Sequence, residues 1–335
     1  MKHVPGILFA VGLAVSANGG TFTNESPAGL QGMKIIWAVP TNIWPVAKIW
    51  SYKVIPQQFS DAVISNAMAI GSFTMNDKVK LSAEALAIDK EAIGFRDKAD
   101  ELHWLNIMPT LGCIEYSDPR AEAGFTWVVK NSVTNAVNVP AVGVPNQEET
   151  TQLGLKYLRL LGINIDEIAR KPGTDDLDLH WSKGTRGWTD QNTGKEIDEL
   201  YDFGVFFTRR IDGIEMSGFG DVFIQFGDNA KVSKLEVSWR NLQPYQLLDN
   251  FVTPEQIVKS IQSGQTPLPR LEGWPLEEIK TLTITNATPR YSRGRKSKDE
   301  PMDFVMPALQ LEAIIDNGKT NTLIWFQTSI FPPKP

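Results

Sequence analysis

Residues 204–242, GVFFTRRIDGIEMSGFGDVFIQFGDNAKVSKLEVSWRNL, constrain the fold more than any other stretch of the chain. Within 231–239 the apolar Val232, Leu235, Val237 and Trp239 fall mostly on one face, with Lys234, Glu236 and Ser238 opposite, the signature of a half-buried strand. Asp212-Gly213 and Gly227-Asp228-Asn229 supply residues that tolerate positive φ where tight reversals need it. The stretch therefore reads as three antiparallel strands, 204–211, 221–226 and 231–239. Such a meander has an open apolar face that must be covered.

A helix is expected to cover it. In 148–161, Leu153, Tyr157, Leu160 and Leu161 share a face, Glu148 and Glu149 sit in the first turn, and Gly162 ends the run. The plan recurs downstream. Thr253 caps a helix over 254–263 with Pro254 and Glu255 at its start, and Ile257 and Ile261 face inward. After a Pro-rich connector come runs at 279–287, 304–315 and 322–328, with Asp316-Asn317-Gly318 as the last hairpin turn. A more degenerate copy pairs a helix over 56–69 with β-like runs at 78–88, 102–107, 111–116 and 125–129. The expected fold class is thus α+β: tandem units, each one helix packed on an antiparallel β-meander. The units span 56–133, 148–250 and 253–331; an arm and extended segment occupies 18–55, residues 134–147 form a linker, and 170–199 form a long polar loop.

The central pattern Arg209 or Arg210, Asp212-Gly213-Ile214 and Gly218-Phe219-Gly220, followed by the strand–turn–strand run through Val232, resembles the PepSY superfamily. Residues 306–315 are similar to the strand that closes such a unit, so the resemblance covers about 148–331. Members include propeptides of thermolysin-like proteases and extracytoplasmic regulators. The resemblance implies protease inhibition, chaperoning or regulation outside the cytoplasm, and it carries no catalytic residues. No protease domain follows in this chain, so a protease target would act in trans.

The N-terminus points to the same compartment. Lys2 and His3, an apolar run over 4–15, and Val15-Ser16-Ala17 before Asn18 have the plan of a secretory signal peptide over 1–17. No later apolar run approaches the ~20 residues of a membrane-spanning helix, so no transmembrane anchor is expected after cleavage. The expected location is secreted or periplasmic. Cys113 is the only cysteine, which excludes an internal disulfide. Asn24 and Asn286 head glycosylation sequons. A net charge of −6 argues against nucleic acid as a partner, because phosphate binding needs a basic face.

Residue type and spacing bear on several chemistries. His103, His180 and Cys113 lack metal-ligand spacing, and Asp175, Asp176 and Asp178 lack an EF-hand frame. No cofactor is implied. Cys113 lies in an apolar run, as a buried thiol does. The basic run from Arg290 to Lys298 reads as a solvated hairpin tip. Trp181 and Trp188, flanked by Glu196, Asp198, Glu199 and Asp202, combine carboxylates with aromatic platforms, as glycan-handling sites do. Together with Arg209 and Arg210 they form the candidate binding surface. The function expected is a secreted, non-catalytic binding or regulatory protein, protease-inhibitor-like, meeting a protein partner through sheet faces or edges. The alternative is a glycan-binding or glycan-hydrolysing protein using 181–202.

Overall fold

The computed structural model describes residues 33–329 except 41–42, 45–46, 123–124, 131–132, 190–192, 218–219, 267, 270–274, 276–277 and 293–302. The segment 1–17 expected as a signal peptide, the expected 18–32 arm, Asn24, Gly218, Phe219 and the basic run from Arg293 onward lie outside the described residues.

From the N-terminus the chain forms β1 (Lys34–Trp37), β2 (Ile49–Ile55), α1 (Asp61–Ile70), β3 (Lys78–Val79), α2 (Ala83–Ile88), β4 (Ile93–Arg96), β5 (Trp104–Met108) and β6 (Cys113–Ser117). A separate hairpin, β7 (Phe125–Lys130) and β8 (Val133–Asn138), precedes α3 (Gln147–Leu160). There follow β9 (Leu179–Thr189), β10 (Glu196–Thr208), β11 (Arg210–Ile211), β12 (Ile214–Ser217), β13 (Gly220–Phe226), β14 (Val232–Trp239) and β15 (Asn241–Leu248). The last elements are α4 (Pro254–Gln262), β16 (Thr281–Ser292), β17 (Phe304–Asp316) and β18 (Asn321–Ser329).

The helices start where their sequences direct. Asn146 accepts from the backbone N–H groups of Glu148 and Glu149 while Glu149 returns to the Asn146 N–H, a capping box, and Thr253 and Gln256 repeat the device at α4. The α1 N-cap is Ser60, accepting from Val63 N.

Two eight-stranded sheets carry most of the chain. Sheet one has the order β3-β4-β5-β6-β14-β13-β10-β9 and is antiparallel throughout. Sheet two runs β11-β12-β16-β17-β2-β15, with β1 added on β16 and β18 on β17. It is antiparallel except where β1 and β12 meet β16. Helices α1 and α3 cover one face of sheet one, where Leu158 and Leu161 pack with Phe95, Leu105, Phe207, Ile224 and Leu235. Ile257 and Ile261 of α4 pack with Leu282, Leu311, Ile315 and Phe326 of sheet two.

These pairings overturn the expected fold class. The protein is mainly β, with four α-helices among the described residues, and is not an array of tandem helix-on-meander units. Two long-range pairings account for the difference. The edge of the 204–242 meander is not free: β14 pairs with β6, so both strand runs fuse into one sheet. The strands of 279–328 in turn share their sheet with β1, β2, β12 and β15, drawn from distant parts of the sequence. Locally, the expected linker 134–147 contains most of β8, the expected β run 78–88 contains α2, and the expected polar loop 170–199 contains β9 and the start of β10.

The sheets are interlocked. After β10 the chain leaves sheet one, makes β11 and β12 in sheet two, and returns as β13; after β14 it crosses again to make β15. A third apolar cluster fills the junction, with Ile214 and Met216 of β12 packed against Ile49, Tyr52, Tyr291 and Val305.

Candidate functional site

The residues singled out in the sequence fall on the β9–β10 hairpin, and its geometry divides them. Side chains of a regular strand alternate between faces, and Trp181 and Trp188 stand an odd number of residues apart on β9. Trp181 lies on the helix-covered face, where its Nε1 donates to Thr151 Oγ1 of α3 at 3.4 Å. Trp188 lies on the opposite face and donates to Glu199 Oε1 at 2.9 Å. Glu199 and Asp202, paired with Arg186 and Gly184, share the Trp188 face, whereas Glu196 and Asp198 pair with Thr189 and Gly187 on the other. The bulge between Leu200 and Asp202 makes this split.

The two inward carboxylates are already engaged. Glu199 accepts from Arg186 Nη2 at 2.6 Å, Arg186 Nε at 3.0 Å and the Ala141 backbone N–H at 2.9 Å. Burial pushes its carboxyl up, but these hydrogen bonds and that from Trp188 prevail and hold it below the usual range. Asp202 is 4% exposed and accepts from Gly184 N at 3.0 Å. Burial raises its pKa, and burial followed by the charges of Asp202 and Asp118 raises that of Glu122. Glu196 and Asp198 are exposed. The hairpin thus brings Trp188, Glu199 and Arg186 together as a hydrogen-bonded brace and leaves Trp181 apart from them.

Arg209 and Arg210 serve the sheet junction. Arg209, 6% exposed, donates from Nε to Glu167 Oε2 at 2.5 Å and from Nη1 to the Arg240 carbonyl at 2.6 Å, and it stacks over Trp239. Arg210 donates to Glu215 Oε1 at 2.7 Å and to the Arg170 carbonyl. Asp212 accepts from the Tyr52 hydroxyl at 2.6 Å. Arg209 thus contacts the segment where β14 passes to β15, whereas Arg210 and Asp212 bond Glu215 and Tyr52 within sheet two.

A cavity of about 700 Å3 opens beside His103, lined also by Phe73, Asp97, Tyr116, Arg120 and Tyr157. Arg120 draws its polar rim together, reaching Asp97 at 3.1 Å, Asp118 at 3.1 Å, Asp100 at 3.3 Å and His103 Nδ1 at 2.6 Å. The imidazole is stacked on Phe73. A hydrogen bond from the Ala99 backbone holds the Asp97 carboxyl below its usual range, and Arg120 acts in the same direction. His103 and Cys113 do not meet. His103 belongs with Phe73 and Tyr116 on the helix-covered face, while Cys113, three positions before Tyr116 on the same strand, points to the other. Its Sγ contacts the Leu111 carbonyl and Ser238. Among the described residues no group of three His, Cys, Asp or Glu side chains is placed to hold a metal ion. No described helix is long and apolar enough to cross a membrane.

The surface that sequence reading missed is on sheet two. Trp50 of β2 pairs with Leu247 of β15, and Phe304 of β17 pairs with Lys53 of β2. Tyr245 is the extra residue of a bulge in β15, and its ring lies 4.7 Å from that of Phe304. Tyr245 and Phe304, 58% and 40% exposed, therefore form an aromatic pair in solvent, and Trp50 and Leu247, 37% and 41% exposed, are cross-strand neighbours on the same two strands β2 and β15. The local signal was the run Leu242-Gln-Pro-Tyr-Gln-Leu-Leu248, whose apolar residues no covering helix claims. With this geometry in hand, the chain matches no protein-family model and no curated protein in sequence.

Proposed function

We propose that this chain is a non-catalytic binding or regulatory protein of the extracytoplasmic space that meets a protein partner through the outer face of sheet two. The observation that carries this reading is the solvent-exposed aromatic pair of Tyr245 and Phe304. Aromatic side chains concentrated on a rigid sheet have the composition of interaction hot spots, whereas singly scattered apolar residues need no explanation. The bulge at Tyr245 adds to the case, because bulges redirect a side chain out of the strand pattern. The PepSY resemblance makes a protease one candidate partner. A glycan role for 181–202 has less support: Trp181 and Trp188 lie on opposite faces, and Glu199 is saturated by Arg186, Trp188 and Ala141.

The test is a differential capture. Tagged chain beginning at Asn18 is incubated with the extracellular fraction of its native host, beside a Tyr245→Ala/Phe304→Ala double variant. A partner retained by the first and reduced at least about thirtyfold in affinity for the second, as loss of a hot spot of about 2 kcal/mol requires, is the expected result. Equal recovery with both proteins would remove the patch from the function. Glycan binding that depends on Trp181 would favour the alternative.

A further inference from the structure

Among the described residues, the edges of the two large sheets are guarded in all places but one. β3 and β11 are two residues long, and β1 is four residues opening on Lys34. β9 carries Lys183 and Arg186 and lies against the bulge of β10. β15 is interrupted by Pro244 and its own bulge. Short length, charge, proline and bulges are the devices that stop an edge from pairing with a further strand. β18 has none of them. Its nine residues, NTLIWFQTS, contain no charge and no proline. Its register with β17 runs unbroken from Ala308↔Ser329 to Asp316↔Asn321, and no described strand pairs with its other side. Leu323 and Trp325, 44% and 53% exposed, stand on its outer face, with Ile314 opposite Leu323.

We propose that β18 is a self-association edge: two copies pair antiparallel, β18 to β18, about a twofold axis through Trp325, joining their second sheets into one. A closed twofold contact requires a surface complementary to itself, and this strand is nearly palindromic in polarity about Trp325. The pairing sets Thr322 opposite Thr328, Leu323 opposite Gln327, Ile324 opposite Phe326, and Trp325 opposite its own copy. Threonine lies opposite threonine near the ends, where the Thr328 hydroxyl is held by Thr266 at 2.7 Å, and β-branched and aromatic side chains meet at the centre, a combination that stabilises cross-strand pairs. Each copy carries a net charge of −6, yet none of that charge lies on the strand, so repulsion is kept away from the contact. A foreign strand would need neither the palindrome nor the matching length; a second copy uses both. This surface is separate from the aromatic patch on β2, β15 and the start of β17.

Sedimentation velocity of the full chain over about 1–200 μM tests the proposal, a range suited to a contact smaller than a standard interface. A dimer is expected to grow with concentration. Trp325→Lys and Leu323→Lys, both at exposed positions, are each expected to raise the dimer dissociation constant at least about tenfold with an unchanged circular dichroism spectrum. Tyr245→Ala/Phe304→Ala should dimerise as the parent does, so failure here and failure of the partner-binding patch are told apart. A monomer at every concentration overturns the proposal and leaves the edge to a foreign strand. A dimer equally strong in both lysine variants overturns it too, because another surface must then be responsible.

Discussion

At the scale of single residues, the buried carboxyl of Asp202 makes a prediction with a definite sign. Burial favours its neutral form, so the folded-state pKa lies above the value of about 4 expected of an unfolded aspartate. A raised carboxyl pKa means that the folded state binds the proton more tightly. That contribution is present in full below the unfolded value and is lost as pH rises through the folded one. At neutral pH the ionised group is therefore a burden on the fold. Asp202→Asn keeps an oxygen for the Gly184 N–H, which Asp202 accepts at 3.0 Å, and removes the charge. The variant is expected to melt higher than the parent at pH 7, with the difference shrinking steadily toward pH 4. Thermal melts at several pH values decide it: a variant that is less stable at pH 7 would show that the Asp202 carboxylate is favourably held, and a pH-independent difference would show that folding does not shift its pKa.

At the scale of elements, the packing of α3 on β10 passes through one close approach. A Cβ at Gly154 would lie 2.7 Å from Phe207 Cζ and 3.0 Å from Val205 Cγ1. Gly154→Ala gains up to about 1 kcal/mol of helix propensity, but overpacking of a filled core costs about 1–3 kcal/mol. Because both neighbours are fully buried, the cost prevails and a net loss of roughly 1–2 kcal/mol in urea denaturation is expected; a stabilised variant would mean that α3 rides more loosely than its contacts imply. The existence and start of this helix were legible in the sequence from Glu148 and Glu149, and Thr253-Pro254-Glu255 did the same for α4. The buried face of α3 is centred on Thr150, Gly154 and Leu158, flanked by the part-buried Leu153 and Tyr157, while Leu160 of the expected stripe is exposed. The strands β13 and β14 were legible for the matching reason: one buried face and clear turns. β9 and the start of β10 were not. Burial along β9 does alternate, with Lys183, Thr185 and Gly187 exposed, but the more covered set of Ser182, Gly184, Arg186 and Trp188 is mostly polar or glycine, so no apolar period-two pattern distinguishes strand from loop. The candidate site suffered equally. A one-residue bulge near Leu200 decides which carboxylates share a face, and a bulge at Tyr245 brings its ring to Phe304; the 242–248 run signals uncovered apolar residues, but neither bulge is marked in the apolar pattern.

At the scale of the whole molecule, the decisive pairings are remote in sequence, and this is why tandem units were expected where two interlocked sheets exist. β6 meets β14, and β2 meets both β15 and β17, across distances in sequence that no local pattern records. The crossing point is held by Arg209. Its guanidinium links Glu167, beyond the end of α3, to the carbonyl of Arg240, where the chain passes from β14 to β15, and its own backbone sits where β10 passes to β11. Burial lowers its pKa, and the Glu167 carboxylate opposes that shift, as expected for a cation kept in the interior by its partners. Removing the charge strands two acceptors. Glu167 is part-exposed and recovers some hydration, so the loss falls below the 3–5 kcal/mol of a fully buried pair, at about 2–4 kcal/mol for Arg209→Met. The consequence for cooperativity is more informative than the magnitude. With two crossings pinned by one side chain, the parent is expected to unfold in a single calorimetric transition in which the two sheets melt together. Arg209→Met should lower the melting temperature and separate the trace into two transitions, one for each sheet. A variant that still melts in one sharp step, at the parent temperature, would show that the apolar cluster of Ile214, Met216, Tyr52 and Tyr291 couples the sheets without help from the ion pair.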